Sequence, residues 1–216
     1  REGKLIMKKV TIIIPAYNEE DSLPFLIKRL EKLAEDVKGY EFEFLFVNDG
    51  SKDKTMELIK KYREEDKRVC YVDFARNFGK ETAMIAGLDY ATGDCVIFMD
   101  ADLQDPPELI PEMLKYWEEG YDDVYAQRKS RKGETWLKKF TSKMYYKVLQ
   151  ALTNVEIQKD TGDFRLLDRK IVDQMNQLPE HNKFLRGLWS WLGYKQYAFE
   201  YERKERFAGE TKYPLK

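Results

Sequence analysis

Cys95-Val96-Ile97-Phe98-Met99 runs directly into Asp100-Ala101-Asp102-Leu103-Gln104-Asp105-Pro106-Pro107-Glu108, an apolar stretch that empties into carboxylates. A short apolar run bounded by turn residues reads as a buried strand. If the backbone stays extended beyond it, Asp100, Asp102 and Gln104 share one side and Ala101 and Leu103 the other. Such a row offers only oxygen donors, which suit Mg²⁺ or Mn²⁺ rather than Zn²⁺. Mg²⁺ in particular is typically held by one or two carboxylates plus substrate phosphates. The phrase therefore reads as a metal-diphosphate site. The competing reading is a solvated acidic turn capping the helix that Pro106-Pro107-Glu108 begins.

The company this phrase keeps weighs against the plain turn. Val10-Thr11-Ile12-Ile13-Ile14 is a continuous apolar strand, as expected when helices cover both faces of a sheet. A helix follows near Ser22 to Val37, with Asp21 or Ser22 as cap, Pro24 in its first turn and Leu23, Leu26, Ile27, Leu30 and Leu33 on one face. Phe42 to Val47 is a second strand, and Met56, Leu58, Ile59 and Tyr62 mark a second helix. Val69 to Phe74 is a third strand, Lys80 to Ala91 a third helix and Cys95 to Met99 the fourth strand. This alternation predicts an α/β fold with a mostly parallel wound sheet flanked by helices. In such sheets ligands bind beyond the carboxyl ends of the strands. There the chain places Pro15-Ala16-Tyr17-Asn18-Glu19-Glu20, Asn48-Asp49-Gly50-Ser51-Lys52-Asp53, Arg76-Asn77-Phe78-Gly79-Lys80 and the Asp100 phrase. Each alone is an ordinary turn; four meeting at one edge strain that reading and point to a binding site.

Composition narrows the rest. The 216 residues can bury one substantial core, and 43% apolar content with 14% aromatics is globular. The net charge of −1 gives no global signal for nucleic acid, but Arg128 to Lys147 carries eight Lys/Arg against one acid, beside a strongly acidic Asp100 to Asp123. Cys70 and Cys95 lie in strand-like runs without CxxC spacing and are expected as buried, reduced thiols. A single histidine, His181, in a polar turn disfavours a histidine triad or zinc site. No Walker A loop or GxGxxG fingerprint is present, so a P-loop NTPase or an ordinary dinucleotide enzyme is disfavoured. No apolar run approaches the roughly 20 residues that span a bilayer. Residues 1–7 stand outside the fold argument. The stripe from Trp136 to Leu152 and the cluster Phe184, Leu188, Trp189, Trp191, Leu192, Tyr194 and Tyr197 are open between core packing and a membrane-interfacial surface.

Pro15 to Glu20, Val47-Asn48-Asp49-Gly50-Ser51 and the Asp-Xaa-Asp at Asp100 to Asp102 resemble the family 2 inverting glycosyltransferases of GT-A fold. The likeness tightens through Arg76 to Glu81, Asp100 to Glu108, Asp160-Thr161-Gly162-Asp163-Phe164-Arg165-Leu166-Leu167 and Arg206 to Tyr213. Together these phrases resemble the branch that acts on polyprenyl phosphates, the bactoprenol glucosyltransferases and dolichol-phosphate mannose synthases. The resemblance implies a single GT-A catalytic domain over residues 8–216 with a Rossmann-like nucleotide-binding half. Relatives generally continue into amphipathic and membrane-spanning helices, so the chain is expected to be the soluble catalytic portion of a longer protein at the cytoplasmic face of the cell membrane.

The resemblance also implies residue roles. Donor binding falls to the Pro15-Ala16-Tyr17 backbone and Asp49 at the base, Glu19 near the ribose, and Arg76, Lys80, Asp100, Ala101 and Asp102. Asp102 with Gln104 would hold Mg²⁺ or Mn²⁺. Asp163 is the carboxylate nearest the transfer, with Asp160 the weaker candidate. Arg128, Lys138, Ser142 and Arg206 fall where the acceptor phosphate is held; Lys138 replaces a common arginine and loses its bidentate fork. The implied reaction is one in-line displacement from a nucleotide-sugar donor, UDP-glucose-like or GDP-mannose, onto a polyprenyl phosphate at the membrane surface. Such an acceptor is already nucleophilic at neutral pH, because a phosphate monoester has its second pKa near 6. Asp163 is then expected to orient rather than to deprotonate. Two other readings stand beside this one: a soluble family 2 transferase with a carbohydrate acceptor, which needs a true base, and a non-catalytic nucleotide-sugar-binding scaffold. Oligomeric state is open.

Overall fold

The computed structural model describes residues 7–128, 161–178 and 184–201. Its strands are β1 (Lys8–Ala16), β2 (Tyr40–Asn48), β3 (Val69–Asp73), β4 (Cys95–Phe98), β5 (Asp123–Arg128), β6 (Thr161–Asp168) and β7 (Gln196–Tyr201). The helices are α1 (Leu23–Asp36), α2 (Thr55–Glu65), α3 (Lys80–Tyr90), α4 (Ile110–Glu118), α5 (Arg169–Gln177) and α6 (Leu185–Trp191), with a single 3₁₀ turn at Pro107–Leu109 ahead of α4. Among the described residues the strands form one seven-stranded sheet in the order β3-β2-β1-β4-β6-β5-β7. Neighbours pair in parallel except β6, which runs antiparallel to both β4 and β5. The expected mixed α/β architecture with a mostly parallel sheet is therefore the observed one.

Two apolar layers sandwich the sheet, which is why its central strands read as unbroken hydrophobic runs. Val10, Ile12 and Ile14 of β1, Phe42, Phe44 and Phe46 of β2 and Ile97 of β4 pack with Leu23, Leu26 and Leu30 of α1 and Met113 of α4 on one face. Ile13, Leu45, Val47, Val96 and Phe98 meet Met84 and Leu88 of α3, Val172 of α5 and Trp189 of α6 on the other. The order β2-β1-β4 means that the chain leaves β1 to one side and returns, through α3, to its other side. This is the switch point at which α/β sheets bind ligands.

β6 carries a charged residue into the second layer. Arg165 is 1% exposed, its Nη1 donates to Asp123 Oδ2 at 2.9 Å, and its guanidinium lies 3.9 Å from the Trp189 ring. Gln196 Nε2 donates to the same Asp123 oxygen, so this polar group ties β5, β6 and β7 together. Burial raises the Asp123 pKa, and the Arg165 charge works against that shift.

Two local expectations are corrected and one open reading is resolved. Ser22 stands at the N-cap of α1, but its hydroxyl donates to Glu19 Oε2 at 2.7 Å and makes no capping bond. Cys95 is buried, whereas Cys70 is only half-buried because β3 is a sheet edge. The α6 cluster divides: Trp189 is core, and Phe184 and Trp191 are exposed.

At the sheet edge where β1 begins, Glu43 accepts hydrogen bonds from Lys9 Nζ at 2.6 Å, Thr11 Oγ1 at 2.8 Å and Thr92 Oγ1 at 2.9 Å. Burial pushes the Glu43 pKa up, but these donors outweigh it and hold the group below its ordinary value of 4.5. A depressed carboxylate pKa contributes stability that is present above the unfolded value and lost as pH falls through the folded one. Glu43→Gln should therefore flatten the acid-side decline in stability between about pH 5 and 3, read by urea unfolding across that range.

Candidate functional site

The loops after β1, β2, β3 and β4 are fastened in series. Asn18, with φ of 53°, donates its amide to Ser51 Oγ at 3.0 Å and accepts from the Lys52 amide through Oδ1 at 2.8 Å. The Glu19 amide donates to Thr55 Oγ1 at 2.7 Å. Asp49, buried at the end of β2, accepts from the Phe78 amide at 2.6 Å and the Gly79 amide at 3.0 Å. Gly50, with φ of 65°, lies so close to the third loop that a Cβ there would sit 2.3 Å from the carbonyl carbon of Arg76. Only glycine combines that backbone angle with that approach.

A pocket of about 530 Å³ opens among these loops, lined by Tyr17, Asn48, Ser51, Asp73 and Arg76 among others. Arg76 stacks its guanidinium 3.9 Å from the Phe78 ring, and Asn48 Nδ2 donates to Asp73 Oδ1 at 2.7 Å. Pro15 and Ala16 end β1 beside it, with Ala16 buried. The Glu19 carboxylate accepts the Ser22 hydroxyl.

Lys80 carries the series to the far side of the switch point. Its ammonium pairs with Asp100 and, at 2.8 Å, with Asp163 Oδ2. The antiparallel register explains the meeting: Phe98 pairs with Arg165, so two residues on, the chain after β4 leaves where β6 begins. Burial disfavours the Lys80 charge, but the two carboxylates outweigh it and raise its pKa above the ordinary lysine value, so the ammonium stays charged at neutral pH.

The turn after β4 departs from the extended row expected of it. Ala101 and Leu103 are buried in the layer shared with α1 and α4, as the alternation implies, but Leu103 has φ of 64° and residues 101–103 form a turn. Asp102 is buried and its Oδ1 accepts the Gln104 amide at 3.1 Å, while Asp105 accepts the Asp100 amide through Oδ2 and the Tyr201 hydroxyl through Oδ1. These local bonds, of the kind aspartates make at turns, compete with an extended backbone. Asp100 pairs with Lys80, while Asp102 accepts the Gln104 amide within the turn.

Among the described residues no group of three or more His, Cys, Asp or Glu is arranged to hold a metal. The residues still fit a hard cation, since Asp102 and Gln104 offer oxygen only, and Mg²⁺ takes few protein ligands when phosphates complete its shell. Arg128 ends β5, its backbone paired with Tyr201 of β7, and its side chain lies outside the described residues. So do Lys138, Ser142, Asp160, His181, Arg206 and the Trp136 to Leu152 stripe. Sequence reasoning assigned nothing to Asp73, Asp105 or Arg165. For Asp105 a signal exists, a carboxylate just ahead of Pro106-Pro107 in a turn; Arg165 pairs across 42 positions and leaves none.

The model of the family described as glycosyl transferase family 2 matches residues 11–175, which span every one of these loops. The chain belongs to that family. A glycosyltransferase of Bacillus subtilis (strain 168) named YkcC, itself uncharacterized, is 53% identical over 95% of this chain and 64% of its own length. A prophage bactoprenol glucosyl transferase homolog of Escherichia coli (strain K12) is 43% identical over 95% of this chain and 67% of its own length. The chain thus spans about two thirds of the curated relatives it matches. Among solved structures, S. aureus TarS 1-349 in complex with UDP-GlcNAc superposes with a TM-score of 0.60 at 19% identity, covering 94% of this chain and 60% of that one. The mannosyltransferase PcManGT from Pyrobaculum calidifontis, in complex with GDP-Man and Mn²⁺, superposes with a TM-score of 0.60 at 17% identity, covering 89% and 55%. This family 2 chain shares their GT-A fold.

Gly50→Ala should cost about 1–3 kcal/mol of backbone strain plus the displacement of the third loop. Gly39→Ala supplies the control, because Gly39 has φ of 90° but nothing within 4 Å of its would-be Cβ. Thermal unfolding should place Gly50→Ala clearly below Gly39→Ala, and only Gly50→Ala should also weaken nucleotide binding.

Proposed function

We propose that this family 2 chain transfers a hexosyl group from a nucleotide diphosphate sugar, UDP-glucose before GDP-mannose, to a polyprenyl phosphate at the cytoplasmic face of a membrane. The observation that carries the reading is the Lys80 bridge between Asp100 and Asp163 at the switch point. An Asp163 oxygen committed to an ammonium is a poor proton acceptor, which suits an acceptor that arrives deprotonated and does not suit a sugar hydroxyl. Relatives at 42–43% identity named for bactoprenol glucosyl transfer support the same choice.

In this reading the pocket beside Tyr17 and Arg76 takes the nucleoside, with Asp49 and Glu19 as its polar neighbours. Asp102 and Gln104 would hold the Mg²⁺ or Mn²⁺ that accompanies the diphosphate. When bound, that ion stabilises the charge that develops on the departing nucleoside diphosphate. Asp163 orients the acceptor phosphate for in-line attack, and Arg128, Lys138, Ser142 and Arg206 hold it, with Asp160 the weaker alternative to Asp163. The excess of Lys and Arg between Arg128 and Lys147 suits loose attraction to an anionic membrane surface.

Asp102→Asn keeps the shape of the side chain but removes its charge. Calorimetry with UDP-glucose and GDP-mannose should find Mn²⁺-dependent donor binding sharply weakened in the variant; equal affinity with and without Mn²⁺ in both proteins would remove the metal from the reading.

Asp163→Asn should lower transfer on the order of 10²-fold through loss of orientation while donor affinity stays near that of the parent. The assay offers radiolabelled donor to polyprenyl phosphate, the matching polyprenol and an oligosaccharide. Transfer only to the phosphate supports the proposal; transfer to the oligosaccharide alone would make this a carbohydrate-acceptor enzyme, and no transfer with intact donor binding would favour the scaffold.

A further inference from the structure

Asp100 and Asp163 approach one another because β4 ends where the antiparallel β6 begins. Two carboxylates that close repel one another unless a cation lies between them. That cation is part of the chain. Lys80 pairs with both, its side chain only about one-third exposed. Its place is fixed from behind, since the residues just ahead of it, Phe78 and Gly79, donate their amides to the buried Asp49.

We propose that Lys80 is a built-in cation between Asp100 and Asp163 that keeps a bare divalent ion from settling there, so that a metal finds only Asp102 and Gln104 and binds well only with a diphosphate to complete its shell. This rests on the proposed use of a metal-bound nucleotide sugar and adds the order in which its parts bind. A bare Mn²⁺ approaching Asp100 meets an ammonium already paired there and gains little by replacing it. A diphosphate brings its own negative charge, so a metal-diphosphate complex can hold Asp102 and Gln104 without dislodging Lys80. The pairing also keeps the two carboxylates at their working separation while the site is empty.

The test measures Mn²⁺ alone, without nucleotide, by the electron paramagnetic resonance signal of the free ion. Parent protein should bind Mn²⁺ weakly. Lys80→Met, similar in length but uncharged, should bind it at least about tenfold more tightly, a conservative figure for removing one partly exposed charge. Lys80→Arg, which keeps the charge, should match the parent. Adding Asp163→Asn to Lys80→Met should abolish the gain. Circular dichroism establishes that each variant is folded; if Lys80→Met unfolds, Lys80→Gln takes its place with the same expected tightening. Unchanged Mn²⁺ affinity in the uncharged variant, or a gain that survives Asp163→Asn, would overturn the proposal. The nucleotide-sugar calorimetry is a separate measurement, so failure of the donor assignment and failure of the Lys80 inference are told apart.

Discussion

The antiparallel insertion of β6 between β4 and β5 is the constraint on which the site depends. In a wholly parallel sheet the neighbour of β4 would begin at the opposite edge, and Asp163 would be separated from Asp100 by the length of a strand. Reversal of one strand brings a carboxylate from late in the chain to the edge where the polar loops of β1 to β4 already gather. The repulsion this creates is met by an ammonium from α3, whose position is set in turn by the Asp49 clamp and by the close approach of Gly50 to the third loop. Fold, loop geometry and charge balance are thus one problem with one solution.

The arrangement also sorts the acidic residues by duty. Asp49 and Asp105 are buried and satisfy backbone amides, so they shape the loops. Asp100 and Asp163 share a cation. Asp102 bends the chain at Gln104. Carboxylates that look alike in a list of residues are separated by what each accepts: amides for structure, an ammonium for electrostatics. Such division is common where several like charges must be kept in one cleft.

Much of this was legible in the sequence, for physical reasons that differ by region. Strands β1 to β4 and helices α1 to α3 are announced by local period, and their observed bounds differ from the expected ones by only a few residues. The polar loops were legible because parallel topology sends every strand-to-helix loop to the same edge. The reversal of β6 was not legible, since the sequence reading placed no strand over Thr161 to Asp168 and a strand pattern carries no direction in any case. The Arg165–Asp123 pair depends on that reversal and was hidden with it. The turn at 101–103 stood only as the competing reading, because strict alternation assumes that nothing competes with extension, and Asp102 and Asp105 both do. The burial of Ala101 and Leu103 followed the pattern even so, because apolar contact is less particular about backbone path than hydrogen bonding is.

Strand side chains alternate with a period of two, so the register between β4 and β6 admits no small errors. A slip by one residue would drive Phe164 into the polar niche that Gln196 and Asp123 build for a guanidinium, and would turn Arg165 toward the layer lined by Phe44 and Ile97. The same slip would swing Asp163 away from Lys80. Correct assembly of this edge is thereby proofread by the interior: a misthreaded copy loses core stability before it can persist as a well-folded protein with its loops misplaced.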